Sequence, residues 1–258
     1  MIKKIEDALQ ECGKHIQFFA EVIRSAIKDP FEKREFLTQL SQISWRSLPT
    51  TMTAGIFTGA IMAIQFYLQM RDFGAEAVLG GLSTSGTLRE VGPILIAFMI
   101  AGKVGAFTSA EIGTMKVTDQ IEAIRCLGVN PISFLIVPRF LAVVISAAIL
   151  LIFGLVISVT GGILASWASG AVNPQQYLLM IPRFATPSSL ILAISKSIVF
   201  GILMAHLCCA NGYWANGGTQ GVGTAVRKTA VQSMVAIVLA DFTVSWILGP
   251  LMEAAGLR

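Results

Sequence analysis

The sequence predicts an all-α integral membrane protein that has an amphipathic interfacial helix at its N-terminus and five transmembrane helices. Three observations support this prediction. Only 13% of the 258 residues are charged, whereas soluble domains contain about 25%. The mean hydropathy is +0.72. Five apolar runs each reach the ~20 residues with which an α-helix crosses ~30 Å of hydrocarbon.

The first element is an N-terminal helix over residues 1–28. Its apolar residues recur at intervals of three and four, which is the spacing of one helix face. Such a helix could lie in the membrane interface, with its basic residues at anionic headgroups. Because the repeat is also nearly heptad-like, a coiled-coil or packing helix is the alternative. The segment leads directly into membrane spans, which favours the interfacial helix. Asp29-Pro30 is expected to end it, and a second amphipathic segment continues to residue 49.

We therefore divide the chain into N-terminal interfacial helices, residues 1–49, and a five-span domain, residues 50–258. The predicted spans lie near residues 50–70, 88–109, 138–167, 188–210 and 229–252. Gly55, Gly59 and Gly102 are small residues at helix-packing positions, where two backbones can approach closely. Packing within one subunit and packing between two subunits produce the same pattern, so both remain open.

The basic residues predict the orientation, because cytoplasmic loops carry an excess of Lys and Arg. With the N-terminus inside, thirteen of the nineteen basic residues lie on the cytoplasmic side and four lie outside. The other two, Lys103 and Lys196, fall within spans. Lys103 is expected to extend its ammonium toward the cytoplasm. An odd number of spans places the C-terminus outside.

A soluble-looking segment, residues 111–131, separates the second and third apolar runs. A short polar linker would be enough to join two membrane helices, but this segment has about twenty residues with helical periodicity. The orientation places it in the cytoplasm. We therefore expect it to be a surface that binds a partner.

Two opposite charges fall inside the apolar runs, where ionisable groups are expensive and usually face a cavity or a partner. From the helix rise, Lys196 and Asp241 each lie roughly 12 Å below the outer surface of the membrane. They are therefore level, and Arg89 and Glu90 enter the membrane on the same side. The cluster could line a cavity for the headgroup of an amphiphile. It could instead be a structural ion pair that locks spans four and five together, and the two roles are compatible.

Several function classes are excluded by what the sequence lacks. There is no G-x-x-x-x-G-K-[ST] loop, and the glycine-rich residues 217–228 lack the Lys-Ser/Thr end of a phosphate cradle. No hydrolase motif is present, and the four cysteines do not have metal-ligand spacing. The basic residues lie beside apolar spans rather than in a nucleic-acid-binding stripe. We predict no ATP hydrolysis, no covalent catalysis, no metal site and no nucleic-acid partner.

Five segments, in this order and spacing, resemble the MlaE permease family of lipid-transporting ABC systems over essentially the whole chain. They are LREVGP at 88–93, AEIGTMKVTDQIEAIRCLGVNPISFLIVPR at 110–139, ISKSIVF at 194–200, NGYWANGGTQGVGTAVRKT at 211–229 and LADF at 239–242. Within 122–128, EAIRCLG is also similar to the E-A-A-x-x-x-G loop of ABC importer permeases, although Ile124 replaces the second alanine.

The resemblance implies a multi-pass permease homodimer in the bacterial inner membrane, with the N-terminus cytoplasmic and the C-terminus periplasmic. It implies a separate cytoplasmic ATPase that binds ATP and Mg, so that this chain itself needs no cofactor. A periplasmic MCE-domain protein and, in some systems, a STAS-domain protein are the other implied partners. The implied cargo is glycerophospholipid, moved between the inner and outer membranes to maintain outer-membrane lipid asymmetry.

The resemblance also implies roles for particular residues. The polar residues of the substrate cavity would be Arg89, Glu90, Lys196 and Asp241. The helix that couples to the ATPase would run roughly from Thr118 to Leu127. Its implied coupling residues are Thr118, Asp119, Ile121, Glu122, Ile124, Arg125, Leu127 and Gly128. Among them Ile121, Ile124 and Leu127 form an apolar stripe, and Gly128 suits the helix end.

Two other functions remain as alternatives. A proton-coupled secondary carrier of lipids or amphiphiles would use Asp241 as a proton relay beside Lys196, and it would need no ATPase. A membrane scaffold that transports nothing would bind no lipid.

Overall fold

The computed structural model describes residues 2–28 and 32–254, with side chains from residue 10 onwards except at residue 253. The predicted break at Asp29-Pro30 lies outside the described residues. Five helices in the described part of the chain are long and apolar enough to cross a membrane, as predicted. We call them spans 1 to 5: Lys33–Phe73, Glu76–Val117, Ile132–Ala168, Pro187–Tyr213 and Gly218–Met252. We call the end of the bundle next to the N-terminal helix the inner end.

Within the described residues, three further helices lie outside the spans. The N-terminal helix is Ile2–Lys28, the loop helix is Gln120–Cys126 and the outer helix is Pro174–Phe184. The outer helix connects spans 3 and 4, and sequence reasoning did not predict it. It is attached to span 2 by Tyr177, whose buried hydroxyl lies 2.8 Å from the hydroxyl of Ser83.

Span 1 starts earlier than its apolar run. The α-helix Lys33–Met70 has 38 residues and continues through Pro49, so no helix end marks the predicted boundary between residues 49 and 50. A proline inside a helix removes one backbone hydrogen bond, and packing against neighbouring helices allows a membrane helix to tolerate that loss. The amphipathic segment and the first apolar run are therefore one element.

Span 2 is irregular, although its apolar pattern is continuous. Three α-helical stretches, Leu79–Gly86, Gly92–Ile100 and Ala106–Val117, are joined by π-helical turns at Thr87–Val91 and Ala101–Gly105. A third π turn, Ile132–Ile136, starts span 3. Such turns are rare and frequently occur at functional sites. The first one carries Arg89 and Glu90, and the second one carries Lys103.

Two of the predicted packing glycines lie between spans 1 and 3 of the same chain. A Cβ on Gly55 would lie 2.4 Å from the carbonyl oxygen of Gly154, and one on Gly59 would lie 1.7 Å from that of Ser158. Here the backbones of the two spans are in contact. Gly102 is different, because no described atom beyond the adjoining backbone of its own helix lies within 4 Å of its Cβ position. Its face of span 2 is open.

We expect Gly59→Ala to destabilise the protein by roughly 3 kcal/mol, the upper end of the range for an overpacked core. The new methyl group would clash with the backbone of Ser158, which cannot rotate away as a side chain could. The matched control is Gly223→Ala in span 5, whose Cβ position is open, so that the change gains up to ~1 kcal/mol of helix propensity. Thermal unfolding of the two purified variants measures the difference. Equal transition temperatures would show that the close approach of spans 1 and 3 is wrong.

Candidate functional site

The charged residues predicted to be level do come together, in the outer half of the bundle where spans 2, 4 and 5 meet. The ammonium of Lys196 lies 2.8 Å from Asp241 Oδ1 and 3.0 Å from Glu90 Oε2. It also donates a hydrogen bond to the backbone carbonyl of Arg89. One cation therefore joins three helices.

The local sequence explains why that carbonyl lacks its α-helical hydrogen bond. In an α-helix, the carbonyl of Arg89 would accept a hydrogen bond from the backbone N–H four residues later. That residue is Pro93, which has no N–H. Lys196 supplies the missing donor. The motif LREVGP therefore places a carboxylate and this carbonyl side by side, and both bind the same ammonium.

Burial divides the cluster into two parts. The side chain of Lys196 is 0% exposed and that of Asp241 is 7% exposed, whereas that of Glu90 is 51% exposed. Arg89 is exposed as well. A buried charge needs a partner, and Lys196 and Asp241 provide this for one another. Only Arg89 and Glu90 remain accessible to a ligand.

The two accessible residues are held in place by hydroxyl groups. The guanidinium of Arg89 donates to Ser189 Oγ at 2.8 Å, and to Ser188 and Thr186 at 3.3 and 3.4 Å. These residues are at the outer end of span 4. The hydroxyl of Ser245 lies 3.3 Å from both carboxylate oxygens of Glu90. A cation and an anion are thus presented together at the outer end of the bundle.

The predicted coupling segment contains a short helix with defined ends. Span 2 extends to Val117, and Thr118 donates its hydroxyl back to the carbonyl of Thr114 at 2.8 Å. Asp119 follows with φ of 58°, a left-handed conformation that aspartate adopts more readily than most residues. The loop helix then runs from Gln120 to Cys126. Gly128, with φ of 77°, ends it by donating to the carbonyl of Arg125.

The apolar stripe of this helix is divided between the core and the surface. Ile121 is 0% exposed and belongs to the hydrophobic core. Ile124 is half-buried, and Leu127 is 80% exposed. Ile121 therefore attaches the loop helix to the bundle, while Leu127 presents a large apolar side chain to the surroundings.

Polar contacts tie the loop helix to the inner ends of two spans. Lys116 of span 2 forms an ion pair with Glu122, and this hydrogen bond lowers the pKa of the Glu122 carboxyl group. Arg125 donates to the hydroxyl of Tyr213, the last residue of span 4, at 3.0 Å. The Lys116 ammonium lies 5.9 Å from the centre of the Tyr213 ring. A displacement of the loop helix would thus pull on spans 2 and 4.

The N-terminal helix packs beside this assembly. His15 Nδ1 lies 3.0 Å from His206 Nε2 of span 4, and burial together with the charge of Lys228 lowers the pKa of His15. The ring of Phe18 lies 5.7 Å from that of Tyr213. Yet Ile27, on the predicted apolar face, is exposed. The helix therefore packs on the protein through one part of its surface and leaves the apolar side chains of Ile16, Ile23 and Ile27 exposed.

The chain has clear relatives of described function. The family profile described as Permease MlaE matches residues 36–247. A probable ABC transporter permease protein of Rickettsia bellii is 33% identical over 236 residues, which cover 92% of this chain and 91% of that protein. The intermembrane phospholipid transport system permease protein MlaE of Haemophilus influenzae is 31% identical over 219 residues, 84% of this chain and 82% of that protein. The chloroplastic protein trigalactosyldiacylglycerol 1 of Arabidopsis thaliana is 29% identical over 225 residues, which cover 87% of this chain and 64% of that protein.

Proposed function

Because the chain belongs to the MlaE permease family, we propose that it is the membrane subunit of an ABC transporter that moves glycerophospholipids between the inner and outer membranes. Its role is then to maintain outer-membrane lipid asymmetry. The chain is a transporter subunit rather than an enzyme, and a separate cytoplasmic ATPase binds the ATP and Mg. The N-terminus is cytoplasmic and the C-terminus periplasmic. A periplasmic MCE-domain protein and, in some systems, a STAS-domain protein complete the assembly.

One observation carries this proposal: the exposed pair Arg89 and Glu90, which rests on the buried pair Lys196 and Asp241 in the outer half of an apolar bundle. A phospholipid has an anionic phosphate beside two apolar chains. Arg89 has guanidinium donors for the phosphate, and Phe242, which follows Asp241 in span 5, presents an exposed apolar side chain. Lys196 does not contact cargo in this arrangement. It positions Glu90 and the backbone at Arg89.

The inner end of the bundle supports the coupling role. We assign the ATPase contact to the loop helix, with Leu127 as its exposed apolar anchor. The helix is tied to span 2 by Lys116 and to span 4 by Tyr213. Span 2 also carries Glu90 and span 4 also carries Lys196, ~25 Å from Tyr213 along the helix. The two spans that contact the loop helix thus carry Arg89, Glu90 and Lys196 of the cargo cluster, and span 5 carries Asp241.

A homodimer is part of the proposal. The open face of span 2 at Gly102, which lacks any described neighbour within 4 Å beyond the adjoining backbone of its own helix, supports close packing against a second copy. Leu95 and Met99 are also exposed on this span. Small and apolar residues together are typical of helix–helix contacts in membranes. The cargo cavity would lie between the two copies.

The proposal is tested by purifying the permease with its ATPase and identifying the extracted lipids by mass spectrometry, with and without ATP and Mg. We expect glycerophospholipid to co-purify and its amount to change with ATP. Arg89→Gln should reduce retention several-fold. The control is Arg183→Gln, which removes an equally exposed arginine from the outer helix. Lipid no higher than in a mock purification would support a scaffold instead.

A further inference from the structure

A second group of cations lies at the inner end of spans 1 and 2, away from the cargo cluster. Lys103, in the second π turn of span 2, donates hydrogen bonds to the backbone carbonyl of Arg46 and to the hydroxyl of Thr50 at 2.8 Å. The guanidinium of Arg46 lies 5.7 Å from the centre of the Phe107 ring. Two positive side chains are therefore held close to one another.

Neither cation forms an ion pair with any carboxylate in the described part of the chain. Between them is a pocket of about 110 Å³, whose wall is mainly apolar. The lining residues are Gln42, Ile43, Arg46, Ser47, Lys103, Val104 and Phe107. Two like charges that line one pocket repel one another. An anion in the pocket would relieve this repulsion.

The depth of the pocket matches the headgroup region of one leaflet. Arg46 is four residues before the apolar run of span 1, which places it ~6 Å outside the hydrocarbon. The ammonium of Lys103 reaches the carbonyl of Arg46 and the hydroxyl of Thr50, so it lies at this same end of the run. Trp45, beside Arg46, is 74% exposed, and tryptophan is enriched at membrane–water interfaces. With the N-terminus cytoplasmic, this is the cytoplasmic leaflet.

We propose that this pocket binds the phosphate of an anionic phospholipid of the cytoplasmic leaflet, at a site separate from the cargo cluster. Lys103 uses two of its three N–H donors within the protein, so one remains for a phosphate oxygen. The guanidinium of Arg46 supplies further donors. The pocket has room for a phosphate but not for acyl chains, which lie along the membrane-facing sides of spans 1 and 2.

Charge complementarity favours a lipid over other occupants of this surface. A second copy of the chain would bring its own Arg46 and Lys103 to the contact, and like charges facing each other oppose association. A free phosphate would gain nothing from the apolar wall formed by Ile43, Val104 and Phe107. An anionic phospholipid satisfies both the charges and the wall. The site requires no transport, so it goes beyond the proposed function.

Native mass spectrometry of the purified complex tests the site, after exposure to mixed micelles with equal amounts of phosphatidylglycerol and phosphatidylcholine. Both lipids have a phosphate, but only the first has a net negative charge. We expect roughly tenfold preferential retention of phosphatidylglycerol, equivalent to ~1.4 kcal/mol. Arg46→Gln should abolish most of this preference. It leaves the backbone carbonyl that Lys103 contacts, so the fold is preserved, and Arg46→Lys should restore the preference.

The matched control is the double variant Lys33→Gln/Arg34→Gln. It removes two exposed positive charges from the start of the same helix without altering the pocket. An equal loss of preference in this control, or none in Arg46→Gln, would overturn the site. Efficient crosslinking of two copies through Gln42→Cys, with no lipid retained, would also overturn the site. That result would show that the surface is a contact between subunits. A complex that keeps this lipid but moves none with ATP would refute only the proposed transport.

Discussion

Replacing Lys196 by methionine is expected to destabilise the protein by about 3–5 kcal/mol, the cost of leaving a buried charge without its partner. The substitution keeps approximately the length of the side chain but leaves Asp241, which is almost completely buried, without its ion-pair partner. It also leaves the carbonyl of Arg89 without a donor. Chemical denaturation followed by the fluorescence of the tryptophans measures the loss. The control is Lys33→Met, an exposed lysine whose replacement should change stability by less than ~0.5 kcal/mol.

A charge exchange then separates the structural role of the pair from a role in cargo binding. The double variant Lys196→Asp/Asp241→Lys is not sufficient, because it would replace the ammonium that now lies 3.0 Å from Glu90 by a second carboxylate on the same side. Glu90→Gln therefore has to be added, and Glu90→Gln alone serves as the reference. Because Lys196 is fully buried, we expect the triple variant to transport lipid as well as the reference. Its stability should be lower than that of the reference, because the carbonyl of Arg89 loses its donor. A folded triple variant with transport lost would show that Lys196 or Asp241 contacts the cargo.

Leu127→Asp is expected to lower ATP-driven lipid transport at least tenfold while the permease stays folded. The side chain is 80% exposed, so its replacement costs the isolated chain little. Losing one apolar anchor of an interface typically costs at least ~2 kcal/mol of binding energy, or about thirtyfold in affinity for the ATPase. ATPase stimulation and lipid transport in reconstituted vesicles measure the effect. The same change at Leu179, exposed on the outer helix, is the control and should leave transport intact.

Glu122→Lys should also uncouple, for a different reason. Its carboxylate is paired with Lys116, so the variant would place two ammonium groups together and displace the loop helix. If Leu127→Asp and Glu122→Lys both keep wild-type transport, residues 111–131 do not form the coupling surface.

The sequence predicted those features that follow from local pattern. Apolar runs of sufficient length located all five spans, because the hydrocarbon thickness sets a minimum helix length. The constant rise of an α-helix predicted that Lys196 and Asp241 lie at the same depth in the membrane. The structure shows that they are in contact. Gly128 was likewise predicted to end the loop helix, and its backbone is left-handed in the structure.

Other features depend on contacts between distant segments, which a single sequence does not display. The π turns of span 2 look like ordinary apolar helix, although Pro93 in LREVGP marks the carbonyl that Lys196 uses. The hydrogen bond of Arg125 to Tyr213 joins residues 88 positions apart. The outer helix was missed because its eleven residues resemble a loop between two spans. The assignment of Arg89 and Glu90 as accessible, and of Lys196 as buried, required the burial of each side chain.

The most direct test of the transport mechanism is lipid movement by the reconstituted permease and ATPase, measured with ATP and with an imposed proton gradient in separate experiments. We expect fluorescent phospholipid to leave the vesicles in the presence of ATP and Mg, with no change when an ionophore dissipates the gradient. Movement driven by the proton gradient without the ATPase, and abolished by Asp241→Asn, would contradict the ABC permease assignment and identify a secondary carrier.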